Sequence, residues 1–204
     1  SDTEQDKSTH MWYFLHLTFQ EFFAAKWLVR HLQEYLTDPS ATSSDFMMSC
    51  KEALDIVQQH KYNPRYEIVW WMVAGLLEDK ALSSFFNLLE EEPRDLIGGR
   101  HQQILMECFN EAQAQLDDKE VTKVELQLMQ WLHFEIKSMS RQSHRGRGAC
   151  YLGSQRVFPE DLLLKSLARF RERKVIVRTL GARSKLSKSA VHVLLNALQD
   201  ADES

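Results

Sequence analysis

Glycine and proline are scarce in this sequence of 204 residues, with seven and four copies respectively. Because tight turns depend on these two residue types, their scarcity argues against a sandwich or barrel built from many short strands. Apolar residues make up 44% of the chain and charged residues 26%, which is ordinary for a globular protein. The composition therefore favours a mostly α-helical protein whose helices are joined by short connections.

Cysteine is equally rare, since only Cys50, Cys108 and Cys150 occur, far apart and without a CxxC pair. This spacing is not typical of a disulfide framework or a zinc site, so we expect a reducing, cytoplasmic environment. The longest apolar run, at 68–77, has about half the length of a helix that crosses a bilayer. Residues 1–9 are polar and unlike a signal peptide. We therefore expect a soluble protein with no membrane partner.

Charge is distributed unevenly along the chain. Residues 1–140 carry 12 Lys and Arg against 23 Asp and Glu, whereas residues 141–204 carry 13 against 6. A basic second part is compatible with contact to nucleic acid or to a membrane surface. The alternative, which we favour, is that it faces an acidic surface of the same protein.

The first structured stretch is predicted to begin with a short strand. Residues 11–17 (MWYFLHL) are apolar and aromatic, as in a buried strand. Thr18 and Glu21 follow with the spacing of a capping box, in which the hydroxyl and the carboxylate satisfy free amides at a helix start. A helix is therefore expected to start near Phe19 and to end before Pro39.

Five more helices are predicted before residue 140. Asn63-Pro64 is a cap followed by proline in a first turn, and Asp117 with Glu120 forms a second capping box. The helix after Pro64 is apolar nearly all round, so we expect it to be the central buried helix. The predicted helices are 45–60, 64–78, 81–90, 101–116 and 121–139.

Residues 138–156 break the helical pattern. They are polar and basic and contain three of the seven glycines, so we interpret 141–158 as a linker and a domain boundary. Three short helices are expected after it. Their predicted ranges are 159–171, 173–182 and 187–199.

The sequence lacks the common phosphate-binding, catalytic and metal-binding motifs. The sequence contains no GxxxxGK[ST], no HExxH and no GxSxG, and no Cys and His spacing of metal-site type. Acidic clusters at 90–92 and 117–118 are expected to be solvated helix ends rather than acid–base pairs. We therefore predict no catalytic residue, no metal site and no enzyme activity for this chain. Packing or exposure is the expected role of five scattered histidines, namely His31, His60, His101, His133 and His192.

His16 differs in its position, at the end of the predicted strand and directly before a capped helix. Free amides and a partial positive charge at a helix N-terminus favour phosphate, and an imidazole there can donate a hydrogen bond to it. A packed histidine in the protein core is the alternative interpretation. His16 is the only candidate binding residue that we identify.

The stretch FLHLTFQEFFAAKWLV, at 14–29, resembles the end of the winged-helix domain in NACHT-type signal-transduction ATPases, the NOD-like receptor group. The similar positions are Phe14, His16, Thr18, Phe19, Gln20, Glu21, Phe22, Phe23, Ala24 and Ala25. Residues 66–77 (YEIVWWMVAGLL) resemble the second helical domain of that group. Residues 175–204 resemble the segment that leads into HEAT-type helical repeats.

The resemblance implies a division of the chain and a role for His16. Residues 1–18 would end a winged helix, 19–140 would form the helical domain, and 159–204 would begin the helical repeats. The family's winged-helix histidine contacts the phosphates of bound ADP, and His16 occupies that place, so it would bind ADP only in the intact protein. The phosphate loop would lie in an upstream nucleotide-binding domain, and no cofactor is expected within this chain itself.

We therefore expect a mostly α fold with at most one short strand, in which a helical domain is followed by the start of an α-solenoid. The predicted function is non-catalytic regulation within an ADP- and ATP-switched receptor, between its ATPase core and its sensor repeats, with oligomerisation in the active state. A free-standing helical-repeat adaptor is the first alternative. Nucleic-acid binding by the basic 141–188 region is the second, and its few aromatic residues make it the least favoured.

Overall fold

A computed structural model of the protein describes residues 17–38, 40, 44–95, 99–141 and 149–202. These residues form ten α-helices and two short 3₁₀ helices, and no strand occurs among them. The mostly α-helical fold is therefore confirmed. The helices are α1 (Leu17–Thr37), α2 (Ser44–His60), α3 (Glu67–Leu76), α4 (Asp79–Glu90), α5 (Arg100–Ala112), α6 (Asp118–Arg141), α7 (Tyr151–Ser154), α8 (Glu160–Arg169), α9 (Arg173–Gly181) and α10 (Lys188–Asp202).

Helix α1 begins two residues earlier than predicted. Leu17 is already helical, so Thr18 lies inside the first turn rather than ahead of it, and the predicted capping box does not mark this boundary. The rest of the predicted strand, 11–16, lies outside the described residues. The helix ends at Thr37, two residues before Pro39, as the sequence predicts.

The two other predicted helix starts are confirmed by their hydrogen bonds. The Asn63 side chain accepts a hydrogen bond of 3.1 Å from the amide of Arg65, and a 3₁₀ turn at Pro64–Tyr66 leads into α3. The Asp117 carboxylate accepts a 2.8 Å hydrogen bond from the amide of Glu120 at the start of α6. Both side chains satisfy amides that have no partner within the helix.

Helix α3 is the centre of the first part of the fold. Trp70, Val73 and Ala74 are fully buried, and α3 packs between α1 and α5. Its ends are less enclosed, because Ile68 and Leu76 remain about one-third exposed, at 36% and 37%. An apolar helix in this position requires neighbours on several sides, which explains why α1 and α5 pack against it.

The same buried core continues from α1 to α10 among the described residues. Helix α6 links its two parts, since it packs against α5 on one side and against α7, α8 and α9 further along. Leu128, Leu132 and Ile136 are the fully buried positions of α6, spaced by four residues. The C-terminal helices are thus packed on the preceding ones through α6.

The second part of the predicted linker is packed rather than exposed. Residues 142–148 lie outside the described residues, but Cys150, Leu152 and Phe158 are buried. Arg183 donates hydrogen bonds of 2.9 to 3.0 Å to three carbonyl groups of this segment, at residues 153, 156 and 158. This packing corrects the prediction of a loop for 149–158. The division of the chain into domains stays a prediction.

Substitution of Gly153 tests the packing of α7 against α6 and α9. A Cβ atom at Gly153 would lie 2.8 Å from Thr179 Cγ2 and 3.0 Å from Leu132 Cδ1, so Gly153→Ala is expected to destabilise the protein by about 1–3 kcal/mol. Gly181→Ala is the matched control, because nothing lies within 4 Å of its added Cβ at the end of α9. Urea unfolding of both variants measures the difference. Equal stabilities would show that α7 is not packed against α6 and α9.

Candidate functional site: the aromatic surface of α1 and a buried polar junction

His16, the only binding residue that the sequence predicts, lies outside the described residues. Its proximity to a nucleotide therefore stays a prediction. Of the stretch 14–29, residues 17–29 are described, and they include the aromatic residues Phe19, Phe22, Phe23 and Trp27.

The first three turns of α1 carry large apolar side chains at the protein surface. Leu17 is 67% exposed, Phe19 and Phe23 are each 54% exposed, and Phe22 and Trp27 are each 37% exposed. We call these five residues the α1 aromatic surface. Single exposed apolar residues are common in proteins, but several of them within three turns of one helix are typical of an interaction site.

A cavity lies beside this surface, between the start of α1 and the 3₁₀ turn that precedes α3. Its volume is about 540 Å³. The α1 residues that line it, at 17, 20, 21 and 24, continue the stripe that is buried further along the helix at Leu28 and Leu32. The start of α1 therefore presents both a groove and an aromatic face. The lining residues are Leu17, Gln20, Glu21, Ala24, Pro64, Arg65, Tyr66 and Val69.

The five scattered histidines all make local contacts, as the sequence analysis expects. His31 lies between Trp27 and Phe46, with ring centroids 4.4 and 5.0 Å away. His60 stacks on Tyr66, and His101 contacts Tyr62 and Glu90. His133 stacks on Phe170, and His192 contacts Asn196.

A buried polar junction lies where α2 and α4 end and α5 begins. We define it as Lys61, Tyr62, Glu90, Arg94 and His101. The imidazole of His101 lies between two oxygen atoms, with Nδ1 3.0 Å from the Tyr62 hydroxyl and Nε2 3.2 Å from Glu90 Oε1. Glu90 Oε2 pairs with Arg94 at 2.8 Å. The prediction that 90–92 is only a solvated helix end is therefore wrong for Glu90.

Lys61 is the most buried charged residue of the junction, with 2% of its surface exposed. Its Nζ donates hydrogen bonds to the carbonyl oxygens of Leu89, at 3.1 Å, and Glu91. The last carbonyl groups of a helix have no partner within the helix, so Lys61 closes the end of α4. This role of Lys61 could not be predicted from the sequence, because no periodic pattern links a lysine after α2 to the end of α4.

Burial affects the ionisation of the junction residues in different ways. It lowers the pKa of Lys61, although the carboxylates of Glu92 and Glu91 oppose this effect. It raises the pKa of the Tyr62 hydroxyl. Burial alone would also raise the pKa of Glu90, but its hydrogen bond with His101 and the charge of Arg94 hold that pKa below the usual value. Glu90 is thus held as a carboxylate that accepts from its neighbours.

A second carboxylate, Glu107 on α5, is also buried among polar residues. The amide of Gln103 donates hydrogen bonds of 3.2 Å to both Glu107 and Glu67 of α3. Burial raises the pKa of Glu107 to about 7, the Gln103 hydrogen bond opposes the rise, and the charge of Glu67 adds to it. Glu67 is itself paired with Arg100 at 2.8 Å.

The described residues provide little for covalent or metal chemistry. All three cysteines are free and buried, and burial raises the pKa of each thiol, so none has the character of a reactive thiolate. No group of three or more His, Cys, Asp or Glu that could hold a metal ion occurs in this part of the chain. Among the described helices, none combines the length and the apolar character needed to span a membrane.

Comparisons of the chain with protein-family models, with characterised proteins and with solved structures find no match. The functional interpretation therefore depends on the residues and on the surfaces described above.

The role of Lys61 can be tested with a neutral residue of similar length. Lys61→Met leaves two carbonyl groups without their donor, so we expect a loss of about 2 kcal/mol of unfolding free energy. Lys80→Met is the control, because Lys80 also donates to a carbonyl, that of Thr37, but is exposed. Lys80→Met is expected to lower the free energy of unfolding by less than about 0.5 kcal/mol. Comparable losses in urea unfolding would contradict the proposed closure of α4.

The raised pKa of Glu107 leads us to predict that the stability of the protein depends on pH. Its folded pKa of about 7 lies above its ordinary value of 4.5, so the folded protein retains a proton that the unfolded chain releases. Stability is therefore expected to decrease as pH rises from about 5 to 8, by an amount on the order of 2 kcal/mol. In Glu107→Gln this decrease should be largely absent. The exposed Glu111, one turn further along α5, provides the control Glu111→Gln, which should retain the decrease.

Proposed function

We propose that this chain is the helical regulatory segment of a cytoplasmic, nucleotide-switched receptor of NACHT type. In this proposal α1 follows a winged helix whose histidine, His16, binds the phosphates of ADP in the intact protein. The helices α1–α6 transmit changes between the nucleotide-binding domain and downstream sensor repeats. The chain itself carries out no catalysis, and ADP or ATP belongs to the upstream domain.

The observation that carries this proposal is the α1 aromatic surface. The stretch that resembles the NACHT family is also the stretch in which five large apolar side chains lie at the protein surface. A free-standing domain gains nothing from exposing Leu17 and Trp27 to water, because burial of such side chains is worth about 1.5–3 kcal/mol each. Contact with an adjoining nucleotide-binding domain accounts for both the residues and their exposure.

The surface of α10 supports the proposed repeats. Val191 is 43% exposed and Leu195 is 55% exposed, one turn apart on the same helix. In a solenoid each helix pair covers the apolar face of its neighbour, so such a pair is expected where another repeat packs. The same feature also fits the alternative of a helical-repeat adaptor, which would have these repeats without any bound nucleotide.

The proposal can be tested in the full-length protein by its content of ADP. We expect the double variant Phe19→Ser/Phe23→Ser to retain at least about ten-fold less ADP after purification, because it removes the contact that holds the closed state. His16→Ala is expected to reduce ADP retention in the same assay. Met48→Ser/Leu126→Ser is the control, since both residues are exposed apolar residues outside the α1 surface, at 78% and 54%.

Three outcomes of this assay are informative. Loss of ADP in the α1 and His16 variants, but not in the control, supports the proposal. Unchanged ADP in all variants contradicts the nucleotide role. A full-length protein that contains no ADP even before substitution would favour the helical-repeat adaptor.

A further inference from the structure

The stretch from the end of α8 to the start of α9 concentrates positive charge at the protein surface. Residues 169–174 (RFRERK) contain four basic residues, and Glu172 is the only acidic one among them. We call Arg169, Arg171, Arg173 and Lys174 the α8–α9 basic cluster. All four residues of the cluster are exposed.

No ion pair joins any cation of the cluster to an acidic residue within the part of the chain that the structure describes. Lys165, one turn before Arg169 on α8, shows the contrast. It pairs with Asp161 at 2.9 Å and with Glu125 of α6 at 4.0 Å. The residue four positions before Arg169 is Lys165 itself, so α8 places a second cation where an acidic partner would stabilise the arginine.

The stability of α9 does not account for the positions of these cations. Arg173 and Lys174 occupy the first turn of α9, which contains no acidic residue. The start of a helix carries a partial positive charge, so acidic side chains stabilise it and basic ones oppose it. Glu172, directly before the helix, supplies a single negative charge. A further negatively charged group among the cations would therefore reduce their repulsion.

The cluster lies on an ordered stretch of backbone. The ring of Phe170 stacks on His133 of α6 with centroids 4.3 Å apart, and the amide of Phe170 donates to the carbonyl of Ser166 at 2.9 Å. The amide of Val175 donates to the carbonyl of Glu172 at 3.0 Å. A partner thus meets a backbone that is already fixed, which lowers the entropy lost on binding.

Two features favour an acidic peptide over nucleic acid as the partner. Single-stranded nucleic acid is bound largely by stacking of its bases on free aromatic rings, and Phe170, the one aromatic residue of the stretch, already stacks on His133. Residues 1–140 carry 12 Lys and Arg against 23 Asp and Glu, so a long polyanion that extends past the cluster meets an acidic protein. A short acidic segment places its charges on the cluster alone.

We propose that the α8–α9 basic cluster binds an acidic segment of a partner protein, whose side-chain carboxylates pair with the exposed cations. Three of the four cations are arginines, and a guanidinium group binds a carboxylate through two parallel hydrogen bonds. The proposal does not depend on the nucleotide switch, because it uses only the cations at 169–174.

The test is a titration of a fluorescently labelled acidic peptide with the 204-residue chain, followed by fluorescence anisotropy. The probe is an octapeptide of alternating aspartate and glutamate, and the control is the octapeptide of alternating asparagine and glutamine. We expect a saturable rise in anisotropy with the acidic peptide and at least about ten-fold weaker binding of the amide peptide, since it lacks the charges. The affinity for the acidic peptide should decrease as salt is added.

Variants connect this binding to the cluster. Arg171→Gln/Arg173→Gln is expected to weaken the acidic peptide at least about five-fold, because it removes two of the four cations. Lys185→Gln/Lys188→Gln is the matched control, since it removes two exposed cations from the stretch beyond the opposite end of α9. Its affinity should equal that of the unaltered chain. All four substituted residues are exposed, so both variants are expected to fold normally.

Three results would overturn the proposal. The first is the absence of any saturable rise in anisotropy with the acidic peptide. The second is equal weakening by both double variants, which would indicate a general attraction to the basic part of the chain. The third is tighter binding of a DNA oligonucleotide than of the acidic peptide, with the same loss in Arg171→Gln/Arg173→Gln, which would identify a nucleic-acid surface instead.

Discussion

The end of α4 is closed by the buried Lys61, whose ammonium group donates to the carbonyl oxygens of Leu89 and Glu91. This contact joins the end of α2 to the end of α4. The next residue, Tyr62, then reaches His101 at the start of α5, and Asn63 starts the turn into α3. Four helices thus meet at one short stretch of chain, because an unpaired helix end in the core would be costly.

The exposed face of α1 follows from the packing around α3. Helix α3 lies between α1 and α5, so Ala25, Leu28 and Leu32 of α1 are buried, whereas Phe22 and Trp27 on another face stay partly exposed. At the polar junction, Glu90 pairs with Arg94 and accepts a hydrogen bond from Gln127 of α6.

Much of the fold could be predicted from local signals. Asn63-Pro64 and Asp117 mark helix starts because their side chains cap amides two or three residues away. Local signals failed at 149–158, where glycines and basic residues suggest a loop but the apolar Cys150, Leu152 and Phe158 pack into the core. They also missed Lys61 and Glu90, whose partners lie on other helices. The candidate site was predicted only as a stretch of sequence, since exposure depends on which neighbours cover α1.

The central claim is that these helices regulate a nucleotide switch, and the coding sequence around them tests it most directly. The transcript that encodes this chain should be sequenced on both sides of the 204 residues. We predict a GxxxxGK[ST] motif after an apolar strand on the upstream side and helical repeats on the downstream side, because the phosphates of ADP need a backbone loop to bind them. A complete reading frame without any such phosphate-binding loop would contradict the account and leave a helical adaptor.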